Sequence, residues 1–221
     1  MSETGTRTVE RALTLLAAVA EEGGTLTQLA RAAELSPSTA SRLLATLAVQ
    51  ELVRRDEYGR YGPGTRLRQL AAVALRSDPV YELAGPHLAA LARETGETAN
   101  LAIAADDQRV VYLRQVASPK LVQTASWAGR TIPRRGTALG AALRGRVGEA
   151  GYVARAGAVE ADVTSIAAPV YGVDGQIVAA LSVLAPNYRV SPARIDACGR
   201  FVAEHADELS RSLGAPVAVA A

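Results

Sequence analysis

Hydrophobic positions in the first third of the chain recur with the spacing of amphipathic helices. The spacing i, i+3, i+4, i+7 predicts a first helix whose inward stripe consists of Val9, Ala12, Leu13, Leu16, Ala17 and Ala20. Gly23-Gly24 ends this helix, and Thr25 or Thr27 caps a shorter second helix with Leu29, Ala30 and Ala33 inward. Ser36-Pro37 opens a third helix, because the serine hydroxyl accepts an unpaired N–H and proline has none to leave unpaired.

The third helix has one apolar face and one polar face. Its inward stripe is Ala40, Leu43, Leu44 and Leu47, and the opposite face consists of Ser38, Arg42 and Ala45, flanked by Thr39, Ser41 and Thr46. The pattern predicts a strand at residues 52–55, a turn with glycine at residues 56–60, and a returning strand that begins at Tyr61. This order of elements is that of a winged helix-turn-helix: a helix, a short helix, a tight turn, a third helix and a hairpin. The third helix of such a domain projects outward.

The pattern predicts a further helix that ends at Arg76 and another that begins at Asp78-Pro79. From Glu97 onward, the hydrophobic residues recur with a period of two. This pattern predicts strands at 98–104, 110–116, 121–127, 165–170 and 177–184, with a helix around 136–143 and a closing helix over 192–213. The fold class is therefore mixed α/β (α+β), a helical first part followed by an antiparallel sheet with flanking helices.

Charge and composition exclude several classes of function. Residues 31–76 contain eight arginines and four acidic residues, whereas residues 77–221 contain fourteen basic and fourteen acidic residues, so the positive excess is local and suits a polyanion. The single cysteine, Cys198, excludes an internal disulfide, and we interpret it and the two histidines, His87 and His205, as core or interface residues.

No phosphate loop, HExxH or Gly-x-Ser-x-Gly motif occurs, so the sequence predicts neither an enzyme nor a cofactor or metal site. The apolar runs are shorter than the ~18 to 20 residues of a membrane span, and the N-terminus does not resemble a signal peptide. We therefore expect a cytoplasmic protein.

The order of several motifs resembles the IclR family of bacterial transcriptional regulators. They are "LARAAELSPSTASRLLATLAVQELVRRDEYGRYGPGTRL" in the first part, then "ETGETANLAI", "RVVYLRQV", "GRTIPRRGTALGAAL" and "SIAAPVYGVDGQIVAALSVLAP" followed by "YRVSP". The resemblance implies a winged-helix DNA-binding domain at 1–64, a linker and dimerisation helix at 65–78, and a GAF-like effector-binding domain at 79–221. It also implies a dimer or dimer of dimers on palindromic operator DNA, with a small-molecule effector.

The polar face and the hairpin supply the candidate DNA contacts. On the third helix these are Ser36, Ser38, Thr39, Ser41, Arg42 and Thr46, with Ser36 and Thr46 nearer the phosphates; on the hairpin they are Arg54, Tyr58 and Arg60. The alternative interpretation of these residues is a solvated helix face with ordinary helix-end hydroxyls.

The resemblance also implies an effector pocket. The matching positions are Gly136, Thr137, Ala138, Asp162, Ser165, Ser182 and Leu184, with Val122, Thr124 and Trp127 closing one wall. Arg135, with Arg134, is a candidate clamp for a carboxylate. Two departures from the family stand out: residues 143–163 form a shorter segment than usual, and Arg134, Arg135 and Ala141 replace its common leucine, histidine and lysine. A constitutive DNA-binding dimer, whose second domain only oligomerises, is the alternative function.

Overall fold

The computed structural model describes residues 3–216, and the side chains of residues 6–216. The chain divides into two compact units, Met1–Ser77 and Asp78–Ala221.

The first unit contains four helices and a hairpin. They are α1 (Glu3–Glu21), α2 (Leu26–Ala32), α3 (Pro37–Val49), β1 (Val53–Arg55), β2 (Tyr61–Pro63) and α4 (Thr65–Arg76). Thr25 caps α2 in a capping box with Gln28, and Ser36 caps α3 with proline in its first turn. The strands pair antiparallel from Val53↔Pro63 to Arg55↔Tyr61. These elements confirm the predicted helix-turn-helix and wing.

The core of the first unit confirms the inward stripe of α3 but corrects that of α1. Ala40, Leu43, Leu44 and Leu47 are the buried residues of α3. In α1 the fully buried side chains are Leu15 and Val19, whereas Val9 and Leu13 are exposed, so the predicted stripe was wrong. Residues 12–20 are apolar on more than one side of the helix, and a stripe rotated by one residue satisfies the same spacing.

Two glutamates adopt a left-handed backbone at the ends of α2 and α3. Glu34 and Glu51 both have φ of 54°. In each case the next residue donates its backbone N–H to a carbonyl five residues earlier, Leu35 to Ala30 at 2.8 Å and Leu52 to Leu47 at 2.9 Å. This is the Schellman arrangement, and it ends each helix sharply although no glycine is present.

The second unit is a six-stranded antiparallel sheet with helices on both faces. Its elements are α5 (Pro79–Thr95), β3 (Thr98–Ala104), β4 (Arg109–Val116), β5 (Thr131–Pro133), α6 (Ala138–Ala142), β6 (Val153–Ala156), β7 (Val163–Tyr171), β8 (Ile177–Pro186), a 3₁₀ turn (Asn187–Arg189) and α7 (Pro192–Ser212). The strand order is β5-β4-β3-β8-β7-β6. The fold class predicted from the sequence is confirmed.

Each face of the sheet has its own core. α5 and α7 pack on one face around Leu88, Leu101, Leu181 and Val202, whereas α6 packs on the other face with Tyr112, Leu139 and Ala180. The alternation of buried side chains along β3 and β8 supplies both cores, as expected for a sheet covered on both sides.

The sequence misidentified one strand and missed two. Residues 121–127 are not a strand but part of an irregular segment, residues 117–128, that pairs with no strand; it is called the covering segment below. Within this segment Leu121 and Val122 face solvent, whereas Thr124 and Trp127 line a cavity. The missed strands, β5 and β6, have three and four residues, too few to show a period.

Candidate functional site

The exposed face of α3 presents a short row of polar side chains. Ser38, Ser41, Arg42 and Thr46 are exposed, on the side opposite the buried leucines. Among the described residues, the side chains of Ser41 and Arg42 make no hydrogen bond or ion pair. They are therefore available to an external partner.

Several hydroxyls of this region are engaged within the helix. Ser36 Oγ accepts the Thr39 backbone N–H at 3.3 Å, donates to Thr39 Oγ1 at 2.9 Å, and lies 3.1 Å from Ser38 Oγ. Thr46 Oγ1 donates to the Arg42 carbonyl at 3.1 Å. Ser36 therefore caps the helix, the Thr39 hydroxyl accepts a hydrogen bond from that cap, and the Thr46 hydroxyl donates its proton within the helix.

The wing holds its exposed side chains on a turn built by Asp56. The Asp56 carboxylate accepts the backbone N–H groups of Tyr58 at 3.0 Å and Arg60 at 2.8 Å. Tyr58 projects from the tip, Arg54 is exposed in the middle of β1, and Arg60 is exposed in the turn just before β2. The guanidinium of Arg55 lies instead 5.6 Å from the ring centre of Tyr61, its partner in the strand pair next to the turn.

The second unit contains a cavity between the α6 face of the sheet and the covering segment. Six residues that the family resemblance predicted for the pocket line it together: Thr124, Trp127, Thr137, Ala138, Ser165 and Leu184. The remaining predicted residues do not line it. Val122, Arg135, Gly136 and Asp162 are exposed, and Ser182 is buried one row further along the same sheet face.

The rest of the lining consists of residues that were not predicted from the sequence: Tyr112, Ile132, Leu139, Arg155, Ala158, Val159, Glu160 and Val163. Tyr112 lies within the strand predicted at 110–116. Its position two residues after Val110 places both side chains on the same face of β4, and this spacing could have identified Tyr112 as a residue of the cavity face. Arg155 lies on β6, whose four residues are too few to show a period of two. In the sheet register, Arg155, Ser165, Leu184 and Thr98 follow one another across four strands, so the guanidinium ends a continuous row on the cavity face.

The cavity is small and mostly apolar, but several polar atoms around it lack partners. Its free volume is about 30 Å³, and it opens to solvent on the side where Arg155, Ala158, Val159 and Glu160 are exposed. Thr124 Oγ1, Ser182 Oγ and Asn100 Oδ1 are buried without a hydrogen-bond partner among the described residues. Asn100 and Ser182 face each other in the register of β3 and β8.

An ion cluster anchors the covering segment. The buried Glu97 carboxylate lies 2.7 Å from Lys120 Nζ and 3.0 Å from the Arg189 guanidinium. Arg189 also donates to the Val122 carbonyl at 2.9 Å. Ser118 adds two bonds, from its N–H to Thr98 Oγ1 at 3.2 Å and from its hydroxyl to the Gly96 carbonyl at 2.8 Å.

Arg134, part of the predicted carboxylate clamp, is used structurally. Its guanidinium donates to the Leu143 carbonyl at 3.0 Å and to the Asp106 carbonyl at 3.4 Å. Arg134 and Arg135 both lie outside the cavity lining, and the only cation in that lining is Arg155.

Burial perturbs several titratable groups. It raises the pKa of Tyr112, which keeps its phenol proton in the cavity wall, and it also raises the pKa of the Cys198 thiol. Burial lowers the pKa of His87; the neighbouring His205 lowers it further, and Glu208 raises it. His87 and His205, 118 residues apart in the sequence, have their Nδ1 atoms 3.1 Å apart.

A winged helix-turn-helix followed by an antiparallel sheet unit with a cavity is typical of one class of protein, the DNA-binding regulator. Residues 8–57 match the model of the IclR helix-turn-helix domain, and residues 72–145 and 145–211 match that of the bacterial transcriptional regulator IclR C-terminal domain. The chain therefore belongs to the IclR family and is a DNA-binding transcriptional regulator, not an enzyme. Within residues 3–216, no helix is long and apolar enough to cross a membrane.

Relatives of known name support this assignment. The chain is 29% identical over 245 residues to the HTH-type transcriptional regulator BhcR of Paracoccus denitrificans, covering 93% of this chain and 87% of that protein. It is 31% identical over 147 residues to the transcriptional repressor IclR of Escherichia coli, covering 65% of this chain and 54% of that protein.

Solved structures show the same fold. An IclR transcriptional regulator from Alicyclobacillus acidocaldarius superposes with a TM-score of 0.79 at 22% identity, covering 93% of this chain and 98% of that one. An IclR homologue from Microbacterium hydrocarbonoxydans, complexed with 4-hydroxybenzoate, has a TM-score of 0.74 at 22% identity, covering 93% and 99%.

Proposed function

We propose that this regulator reads its operator with the exposed face of α3 in the DNA major groove. The observation that carries the proposal is the free Ser41–Arg42 pair opposite the buried stripe of α3. Arg42 has the reach and the donors for the N7 and O6 atoms of a guanine. Ser38 and Ser41 are short, so they let the helix approach the base edges closely. Ser36, Thr39 and Thr46 contribute through the helix geometry and through phosphate contacts.

The wing supplies contacts that do not depend on sequence. Arg60 is an exposed cation on the turn that Asp56 holds through two hydrogen bonds, and Arg54 is an exposed cation on β1. Tyr58 at the tip has both an apolar ring and a hydroxyl for the sugar-phosphate backbone. Such contacts position the protein on DNA and make its affinity fall with salt.

A titration of two variants separates these roles. Arg42→Ala should weaken binding to the operator by about 1–3 kcal/mol while leaving a scrambled duplex almost unaffected. Arg60→Ala should weaken binding to both duplexes and reduce the salt slope by about one. Fluorescence anisotropy over a salt series measures both quantities, and Arg200→Ala, an exposed arginine of the second unit, is the control. Equal losses on both duplexes for Arg42→Ala would exclude base readout by this residue.

For the second unit, we propose binding of a small, largely apolar carboxylic acid in the cavity. Trp127, Tyr112 and Leu184 offer an apolar surface, and Arg155 offers the cation. The unpartnered Thr124 Oγ1 is a hydrogen-bonding atom of the lining that a ligand would satisfy. The 4-hydroxybenzoate complex of the Microbacterium hydrocarbonoxydans homologue supports this ligand class.

Trp127 makes this proposal directly testable because it is the only tryptophan in the chain. A panel of aromatic and aliphatic acids, each paired with its neutral amide, should include acids that change Trp127 fluorescence and raise the melting temperature. Arg155→Gln should weaken an acid that binds and leave its amide unaffected, whereas Arg135→Gln, outside the lining, should affect neither. If no compound acts, the constitutive DNA-binding dimer becomes the better description.

We also propose that the chain works as a homodimer or a dimer of dimers on palindromic DNA, with residues 65–78 as the dimerisation helix. α4 buries no side chain, and its Leu70 and Val73 are exposed, as are Val9 and Leu13 of α1. A second copy would cover these apolar residues, and a palindrome matches the symmetry of such a pair. Leu70→Asp should lower the molar mass measured by light scattering and weaken operator binding; Arg76→Asp, at the end of α4, tests whether charge alone has this effect.

A ligand can regulate such a dimer only by binding one arrangement of the two DNA-binding units more tightly than another. The measurable consequence is reciprocal: a ligand that weakens operator affinity must itself bind more weakly to the DNA complex, by the same factor. Titrating Trp127 fluorescence with and without operator DNA measures this factor.

A further inference from the structure

We propose that α5 and α7 carry a binding site for a divalent transition-metal ion, with zinc the best-suited metal, formed by His87, His205 and Glu208. The ligand atoms are Nδ1 of His87, Nδ1 of His205 and Oε2 of Glu208. His205 and Glu208 are three residues apart on the same face of α7, and His87 faces them from α5. Neither the sequence motifs nor the family assignment accounts for this cluster.

The distances among the three atoms fit one metal ion. Nδ1 of His87 lies 3.1 Å from Nδ1 of His205, and each of these nitrogens lies 3.7 Å from Oε2 of Glu208. The centre of a triangle with these sides is about 2.0 Å from every corner, which is the usual length of Zn–N and Zn–O bonds, ~2.0–2.2 Å. The rings meet at 70° rather than stacking, so the two nitrogens approach each other without ring overlap.

A second carboxylate orients one of the ligands. Nε2 of His205 lies 3.1 Å from Oε2 of Glu94, on α5. Because an ionised carboxylate only accepts hydrogen bonds, Nε2 of the neutral ring carries the proton and Nδ1 keeps its lone pair for the metal. A carboxylate that holds a histidine in this way is the usual partner of a metal-ligating imidazole.

The surroundings favour a site with three protein ligands and one open position. The histidine side chains are only 17% and 13% exposed, whereas that of Glu208 is 46% exposed. The nitrogens are therefore shielded, and solvent reaches the carboxylate side, where a water molecule completes the coordination. Two nitrogens and a carboxylate oxygen suit zinc, cobalt, nickel or copper better than magnesium or calcium, which prefer oxygen ligands.

Metal binding would join the first helix of the second unit to its last helix. The two Nδ1 atoms already face each other, so without metal His87 donates its Nδ1 proton to Nδ1 of His205. With metal bound, the His87 ring takes its Nε2–H form, and both Nδ1 lone pairs point to the ion. No proton need leave the protein, and the step is not a redox reaction.

The experiment uses the full chain without a polyhistidine tag, since a tag would bind the probe. Cobalt(II) serves as the probe, because its visible absorption reports four-coordinate geometry, and zinc(II) is then added to displace it. The wild type should bind one cobalt per chain with four-coordinate bands, zinc should abolish the bands, and zinc should raise the melting temperature. A thiolate-to-cobalt band would instead indicate binding at Cys198 and overturn the proposal.

Variants locate the site. His87→Gln and His205→Gln should each lower the association constant by about 100-fold or more, and Glu94→Gln by about 10- to 100-fold, since it orients a ligand without touching the metal. Glu204→Gln removes the same charge from an exposed position of α7 and should leave the affinity unchanged. Circular dichroism without metal verifies that each variant is folded.

A measurement on the wild type removes any dependence on variant folding. The chain contains only two histidines, so its imidazole ¹⁵N spectrum is simple to assign. Zinc should shift Nδ1 of both rings and turn the His87 ring into the Nε2–H form that His205 already has. Unshifted rings, absence of saturable cobalt binding, or undiminished binding by His205→Gln would each overturn the proposal, leaving a proton-bridged histidine pair.

Discussion

Replacing Glu97 by glutamine tests whether a buried ion cluster holds the covering segment over the cavity. The Glu97 side chain is only 2% exposed, and it pairs with Lys120 and Arg189, which are 41% and 16% exposed. The substitution keeps the shape of the side chain and removes its charge. Arg189 is then left largely buried without its counter-ion, whereas Lys120 can turn into solvent.

The structure sets the magnitude of this effect. Removing one partner of a buried ion pair costs about 3–5 kcal/mol, and exposed pairs are worth about 0–1 kcal/mol. Because Lys120 can become hydrated and the glutamine oxygen still accepts one hydrogen bond, we expect the lower end, about 3 kcal/mol. For a unit of this size, that corresponds to a fall in melting temperature of about 10 °C.

Two assays check the reasoning. Calorimetry measures the melting temperature of Glu97→Gln against Glu149→Gln, which removes a charge from an exposed position. Hydrogen exchange measures the backbone amides of residues 117–128, which should exchange faster in Glu97→Gln only. A double-mutant cycle with Arg189→Gln should give a coupling of about 1 kcal/mol or more. A melting temperature equal to that of the wild type, or unchanged exchange, would refute the anchoring role.

Three further substitutions or reactions test other parts of the structure. Leu44→Ala should destabilise the first unit by about 2–5 kcal/mol through the cavity it leaves, and urea unfolding measures the loss. At Gly64 an added Cβ would overlap the Glu51 carbonyl, whereas at Gly62 it would meet nothing within 4 Å; Gly64→Ala should therefore lower the melting temperature and Gly62→Ala should not. Cys198 is buried and the pKa of its thiol is raised, so a disulfide reagent should label it slowly in the native protein and rapidly in urea.

The parts of the fold that local chemistry determines were predictable from the sequence. Ser36 and Pro37 mark the start of α3, and the spacing of its leucines identifies the buried face. The exposed residues on the opposite face could therefore be predicted without knowledge of tertiary contacts. α1 shows where this approach fails: with apolar residues on several sides, only contact with α2 and α3 decides that Leu15 and Val19 point inward.

The cavity and the histidine cluster depend on contacts between distant parts of the chain. Thr124 and Ser165 lie far apart in sequence, and they meet because the covering segment folds over the sheet. Arg155 was missed because β6 is recognisable only by its pairing with β7. His87 and His205 each fall on an apolar helix face, which favours a core interpretation, and only the packing of α5 against α7 brings their rings together.

The shortest strands of the second unit are the two edge strands of its sheet. β5 has three residues, ending in Pro133, and β6 has four, whereas β7 and β8 in the interior have nine and ten. A long, straight edge strand exposes unpaired backbone groups to which another molecule can add a strand and begin to aggregate. A short edge strand, or one that contains proline, offers too few such groups. Short outer strands of this kind protect the second unit from aggregation by strand addition.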